Sequence, residues 1–82
     1  MELKDTVELM TSADHKERFR AEYLQTNIRY NKLSNMITMY NAGLLNFKPK
    51  CPIDILKEQK KYMGVYLNYL RIRAEIEGIN LD

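Results

Sequence analysis

Apolar residues recur at helical spacing along this chain, and in its two longest segments they fall on two opposite sides of the helix. At about 100° per residue, Phe19, Tyr23, Tyr30, Leu33, Ile37 and Tyr40 share one stripe of the first long segment. Ala21, Leu24, Ile28 and Met39 lie roughly opposite. In the second long segment Leu56, Met63, Leu67, Leu70 and Ala74 form one face, and Val65, Tyr69, Ile72 and Ile76 the other. A helix that is apolar on both sides must be covered on both sides. Other copies of the same chain are the expected source of that cover, so the pattern predicts a homo-oligomer.

Punctuation residues divide the chain into three helical segments, at about residues 2–10, 13–42 and 52–77. In the first, Leu3, Val7 and Met10 stand at the i, i+4, i+7 spacing of a short amphipathic helix. Thr11-Ser12-Ala13-Asp14 reads as an N-cap, with Thr11 and Asp14 at capping-box spacing. Gly43 suits the left-handed conformation that ends helices, and Gly78 closes the last segment in the same way. Pro52 fits the first position of the third helix, where its missing N–H is tolerated. Gly64, inside that helix, weakens it by about 1 kcal/mol relative to alanine, and either a close helix approach or a kink accounts for it. The link between the long segments carries Leu44, Leu45 and Phe47, which are expected to fold back as a plug. A short link predicts an antiparallel hairpin. The fold class is therefore all-α: a short N-terminal helix, then an antiparallel hairpin of two long helices, in one helical domain.

Composition narrows the means of stabilisation. The chain has 82 residues, and chains near this size rarely bury a core worth more than a few kcal/mol without disulfides, a metal or partner subunits. Cys51 is the only cysteine and His15 the only histidine, which rules out an internal disulfide and a four-ligand zinc site. Oligomerisation remains. A lone cysteine suits a reducing cytosol, and no segment reads as a signal peptide or a membrane span. The formal charge is +2 with acidic and basic residues interleaved, which argues against DNA or RNA as partner and leaves room for a local anion site.

The same residues offer no triad, no glycine-rich phosphate loop and no HExxH, so the chain is not expected to be an enzyme, and no cofactor is expected. Two polar stripes remain. His15, Arg18, Glu22, Gln25, Arg29 and Lys32 follow one another at spacings of 3, 4, 3, 4 and 3, along one side of the first long helix. They form either an ordinary solvated face or, with four basic groups in line against Glu22 alone, an anion-binding edge. Gln59, Tyr62, Tyr66, Tyr69 and Arg73 follow at 3, 4, 3 and 4 on the last helix. That line is either a packing seam of tyrosines or a place where rings stack bases while Arg73 holds phosphate.

The order of residues resembles one family. His15-x-x-Arg18-Phe19-x-x-Glu22, Lys32-Leu33-x-x-Met36-Ile37, Phe47, and Leu56-x-x-Gln59-x-x-x-Met63-x-x-Tyr66-x-x-x-Leu70-x-x-Arg73 resemble the phage anti-CBASS cyclic-nucleotide sponges, which have relatives in crAss-like and other tailed phages. The resemblance covers residues 15 to about 76. It implies an all-helical homohexamer that sequesters cyclic oligonucleotide messengers, without cleaving them, in the cytoplasm of the infected bacterial host. It implies a pocket between protomers for cyclic dinucleotides, using a planar ring early in the long helix and a lysine further along. It implies a second pocket, at a three-fold axis, for cyclic trinucleotides, using a late arginine and a hydroxyl. By motif position Lys32 is the lysine, Ser34 the hydroxyl and Arg73 the arginine. The family's early tyrosine is missing, and His15 is the nearest planar group, with Arg18 beside it. The competing reading is a small protein-interaction module that docks a partner through its apolar faces.

Overall fold

The computed structural model describes all 82 residues as an all-helical chain without strands. A 3₁₀ turn, Leu3–Thr6, leads into the single-turn helix α1, Val7–Met10. Helix α2 spans His15–Asn41 and helix α3 spans Ile53–Glu77. The body measures 43 × 24 × 19 Å, its length set by the two long helices.

Helix α2 begins at Asp14, whose carboxylate accepts from the Lys16 N–H at 2.9 Å. This corrects the expected cap. Thr11 instead closes α1, while Ser12 Oγ accepts from the Asp14 N–H at 3.1 Å and sets the corner between the helices. A carboxylate at this position satisfies an otherwise unpaired N–H and faces the positive end of the helix dipole. Gly43 and Gly78 take left-handed φ values of 72° and 67°, and the chain folds back through Leu44 N–H to Met39 O and Ile79 N–H to Ala74 O, both 2.9 Å. Pro52 is the N-cap of α3, one position earlier than its expected place.

The two-sided pattern of α3 is realised in its burial. Leu67, Leu70 and Ala74 are buried, while Val65, Tyr69, Ile72 and Ile76 on the other face are exposed, Ile76 at 79%. The buried face meets α2 in descending order: Arg73 lies over Phe19, Arg71 reaches Tyr23, and Tyr30 packs on Gly64. The core is the cluster of Phe19, Leu67, Leu70, Ala74 and Ile79, with Tyr23, Tyr30 and Leu81 against its edge.

That core lies toward the start of α2 and the end of α3, far from the loop that joins them. The loop end has Ile37 as its one buried apolar residue, outside the main cluster, and the expected plug does not form. Leu44 and Phe47 are exposed, only Leu45 of the three is half-buried, and Ile79 with Leu81 closes the core at the other end.

The N-terminal segment also departs from its expected register. A 3₁₀ turn advances three residues per turn, so Leu3, Thr6 and Leu9 turn inward while Val7 and Met10 are exposed. Thr6 is 1% exposed, and its hydroxyl donates to Leu3 O at 2.7 Å, which satisfies the buried group. This segment packs along α2 on the side of Ala21, which is fully buried yet outside the Phe19 cluster. Part of the second face of α2 is thus covered by the chain itself, whereas the second face of α3 is not.

Gly64 lies where α3 meets the Tyr30 ring of α2. A Cβ there would lie 3.5 Å from the Tyr30 ring and hydroxyl, an ordinary contact. Gly64→Ala is accordingly expected to stabilise the fold by up to about 1 kcal/mol through helix propensity, measured by chemical denaturation. A loss of stability would show that the Tyr30 ring needs the missing side chain.

Candidate functional site

The basic line of α2 is partly occupied by the chain's own N-terminal segment. Arg18 Nη1 donates to Ser12 O at 2.7 Å, Gln25 Nε2 approaches Met10 Sδ at 3.8 Å, and Lys32 Nζ lies 3.7 Å from Glu2 Oε2. These contacts run in order, so residues 2–12 lie along the stripe like a strap. His15 and Arg29 stay exposed at the same helix. The stripe is neither a plain solvated face nor a fully open anion edge.

Arg73 stands on the exposed side of the core. Its guanidinium carbon is 4.8 Å from the centroid of Phe19, and its Nε donates to Glu77 Oε2 at 3.1 Å. Stacking on a buried ring fixes the plane of the fork. An exposed i,i+4 carboxylate holds it only weakly. Tyr62, Tyr66 and Tyr69 are all exposed, so the tyrosine line is not a seam inside this chain. Ser34 is half-buried on α2, and its hydroxyl makes no hydrogen bond within the chain.

The chain does not bring these residues together. Arg73 lies against Phe19, and Ser34 is fifteen residues further along the same helix, which at 1.5 Å per residue is roughly 22 Å. His15 and Lys32 are seventeen residues apart on α2, roughly 25 Å by the same measure. Neither pair can touch one small ligand from a single copy.

A second cationic feature was not singled out in the sequence. Lys57, Lys60 and Lys61 of α3 and Tyr30, Ile37 and Asn41 of α2 line a cleft of about 400 Å³ near the interhelical loop. The i, i+3, i+4 spacing of the lysines was its available signal. Arg20 also passed unnoticed, and its Nε is buried without a hydrogen-bond partner. No group of three or more His, Cys, Asp or Glu side chains comes together, and Cys51 is a half-buried free thiol. No helix is long and apolar enough to cross a membrane.

Fold and surface define a small all-helical protein with exposed tyrosines and mixed surface charge, slightly basic overall. The Sequestin family model matches residues 13–76, most of the chain, and the protein belongs to the Sequestin family. The family's name denotes sequestration, in agreement with the resemblance to sponge proteins. Searches of curated proteins and of solved structures give no match. The matched region begins just after Ser12, so it takes in both long helices and every candidate residue but not the strap.

Two substitutions separate what holds the strap. Thr6→Asp, which places a carboxylate at a buried position, is expected to lower stability by about 2 kcal/mol or more. Glu2→Gln, which removes only the exposed pair to Lys32, is expected to change it by no more than about 1 kcal/mol. Equal losses in urea denaturation would assign the strap's attachment to the ion pair instead.

Proposed function

We propose that this protein sequesters cyclic oligonucleotide immune messengers, dinucleotides, trinucleotides or both, in pockets formed between copies of itself, and so withholds them from host anti-phage effectors. In this reading each chain is an antiparallel hairpin forming one helical domain, the assembly is a homohexamer, and it works in the cytoplasm of an infected bacterium. Arg73 holds a phosphate of a cyclic trinucleotide with Ser34 of another copy. Lys32 holds a phosphate of a cyclic dinucleotide, with His15 and Arg18 of a neighbour at its edge.

The observation that carries this reading is the separation of its residues. The Sequestin match spans Lys32, Ser34 and Arg73, yet the distances along α2 keep Ser34 from Arg73 and His15 from Lys32 within one chain. Pockets that use these pairs must be built by more than one copy. The uncovered face of α3, with Val65, Tyr69, Ile72 and Ile76 exposed, supports association. The exposed ion pairs support exchange, because a phosphate can replace Glu77 at Arg73 or Glu2 at Lys32 with a bond of the same charge-assisted kind, and the exposed pair it displaces contributes little.

The mechanism is mass action without turnover. A sponge competes with the host effector by affinity and abundance. A messenger clasped by several subunits binds only the assembled form, so it also stabilises the assembly.

Thermal shift with a panel of cyclic di- and trinucleotides, beside native mass spectrometry, checks the proposal. The expected outcome is an oligomer, a raised melting temperature with at least one member, and recovery of intact nucleotide on heating. Arg73→Ala is expected to abolish trinucleotide binding and leave the oligomer intact. An unshifted melting temperature across the whole panel would refute sequestration of these messengers.

The uncovered α3 face also favours a second reading, a helical module that docks a protein partner through Tyr69, Ile72 and Ile76. Ile72→Asp distinguishes the two. On the sponge reading it dissociates the oligomer and lowers nucleotide affinity together, whereas a docking module is monomeric beforehand.

A further inference from the structure

We propose that the cleft between α2 and α3 lined by Lys57, Lys60 and Lys61 is a second anion site, one that takes an oligophosphate group from within a single copy of the chain. It is separate from the residues assigned to cyclic nucleotides and does not depend on that assignment.

Three lysines from little more than one turn of α3 border the same hollow, and no carboxylate lines it. The chain's two ion pairs, Lys32 with Glu2 and Arg73 with Glu77, lie elsewhere. Asp54 and Glu58 precede Lys57 and Lys61 by three residues, a spacing that commonly pairs on a helix, yet neither forms an ion pair with them. No carboxylate of the chain therefore pairs with the positive charge at the cleft. The one internal contact of these ammonium groups is Lys61 Nζ 5.5 Å from the exposed Tyr62 ring, an interaction that a phosphate can outcompete. A single carboxylate would leave two of the three lysines uncompensated, whereas an oligophosphate brings several charges at once. Lysine suits it as a compact point charge with donors that rotate toward phosphate oxygens.

The opposite wall has different chemistry. Ile37 is buried, and Tyr30 is half-buried with its ring against Gly64. Tyr30 and Asn41 add a phenol and an amide for directional hydrogen bonds. The volume of about 400 Å³ falls in the range of roughly 300–1,000 Å³ typical of small-molecule sites. It fits a compact phosphorylated molecule. The source of the oligophosphate is either inorganic or a nucleotide, and the apolar wall is where a base would make the difference.

Titration calorimetry on the purified protein decides, with tripolyphosphate, ADP and adenosine as probes. Saturable binding of tripolyphosphate and ADP at one site per chain is expected, with no heat from adenosine and weaker binding at about 0.5 M salt. Lys57→Gln with Lys60→Gln should lower affinity about tenfold or more, Lys57→Arg with Lys60→Arg should largely preserve it, and Arg73→Ala should leave it unchanged. Tighter binding of ADP than of tripolyphosphate assigns the Tyr30 and Ile37 wall to a base; equal binding assigns recognition to phosphate alone, and both uphold the site. Should the double variant lose helicity by circular dichroism, Lys61→Gln serves in its place. No saturable binding of either phosphate probe, or undiminished binding by the glutamine variants, overturns the proposal. Loss on Arg73→Ala overturns it too, because the anion would then sit at the other end of the helices. Because no cyclic nucleotide is used, a failure here is distinct from a failure of sequestration.

Discussion

Phe19 against Leu67, Leu70 and Ala74 is the contact on which the other features depend. It gathers the apolar interior at one end of the long helices, where Ile79 folds back after the Gly78 turn to close it. Each fully buried leucine contributes about 1.5–3 kcal/mol, and only Leu67 and Leu70 are buried that completely among the large apolar residues. The opposite end has Ile37 as its only buried residue, sets three lysines beside it and keeps an open cleft between the helices. One end of the pair is dry and fixed; the other is charged and accessible. Arg73 is placed by the same contact, because its guanidinium lies over the ring that the core holds in position.

How much of this was legible depends on what periodicity encodes. It tells which residues share a face, and the two apolar faces of α3 were separated correctly by it, though not which of them turns inward; the left-handed ends at Gly43 and Gly78 were legible too. It does not tell what lies opposite a face. Ala21 and its neighbours were expected to await another copy, but part of that cover comes from the N-terminal strap. The strap itself escaped because the segment opens with a 3₁₀ turn, Leu3–Thr6, which shifts the inward face from Leu3, Val7 and Met10 to Leu3, Thr6 and Leu9 and puts a polar residue, Thr6, on it. The loop failed for a related reason. Leu44 and Phe47 are apolar enough for a plug, but whether a plug has a socket depends on where the core sits, and the core is at the far end.

Candidate residues came from motif order in the family resemblance, and motif order carries no distances. Arg73, Lys32 and Ser34 could be chosen from their order in the chain, and each presents a group that solvent can reach or that lacks a bond within the chain. Their separation along α2 needs the register between the helices, which Phe19 with Arg73 and Tyr30 with Gly64 supply. The lysine cleft shows the converse. Three lysines at i, i+3 and i+4 look like solvation in sequence, and only Tyr30, Ile37 and Asn41 across from them turn the row into a cleft.

The ion pairs of Lys32 and Arg73 tie these points together. Both are exposed, with carboxylates that reach across from the strap in one case and from the same helix in the other. Exposed pairs of this kind contribute at most about 1 kcal/mol and weaken with salt. They keep the cations oriented without committing them. Under the proposed function an arriving phosphate meets a group already positioned, and displaces a partner whose loss costs the fold little. Under the proposed function this matters most for Arg73, since Phe19 keeps the guanidinium plane in place after Glu77 has let go. The affinity of such a site then comes from how many copies present their cations to one ligand, which ties binding to assembly more tightly than any residue of one chain can.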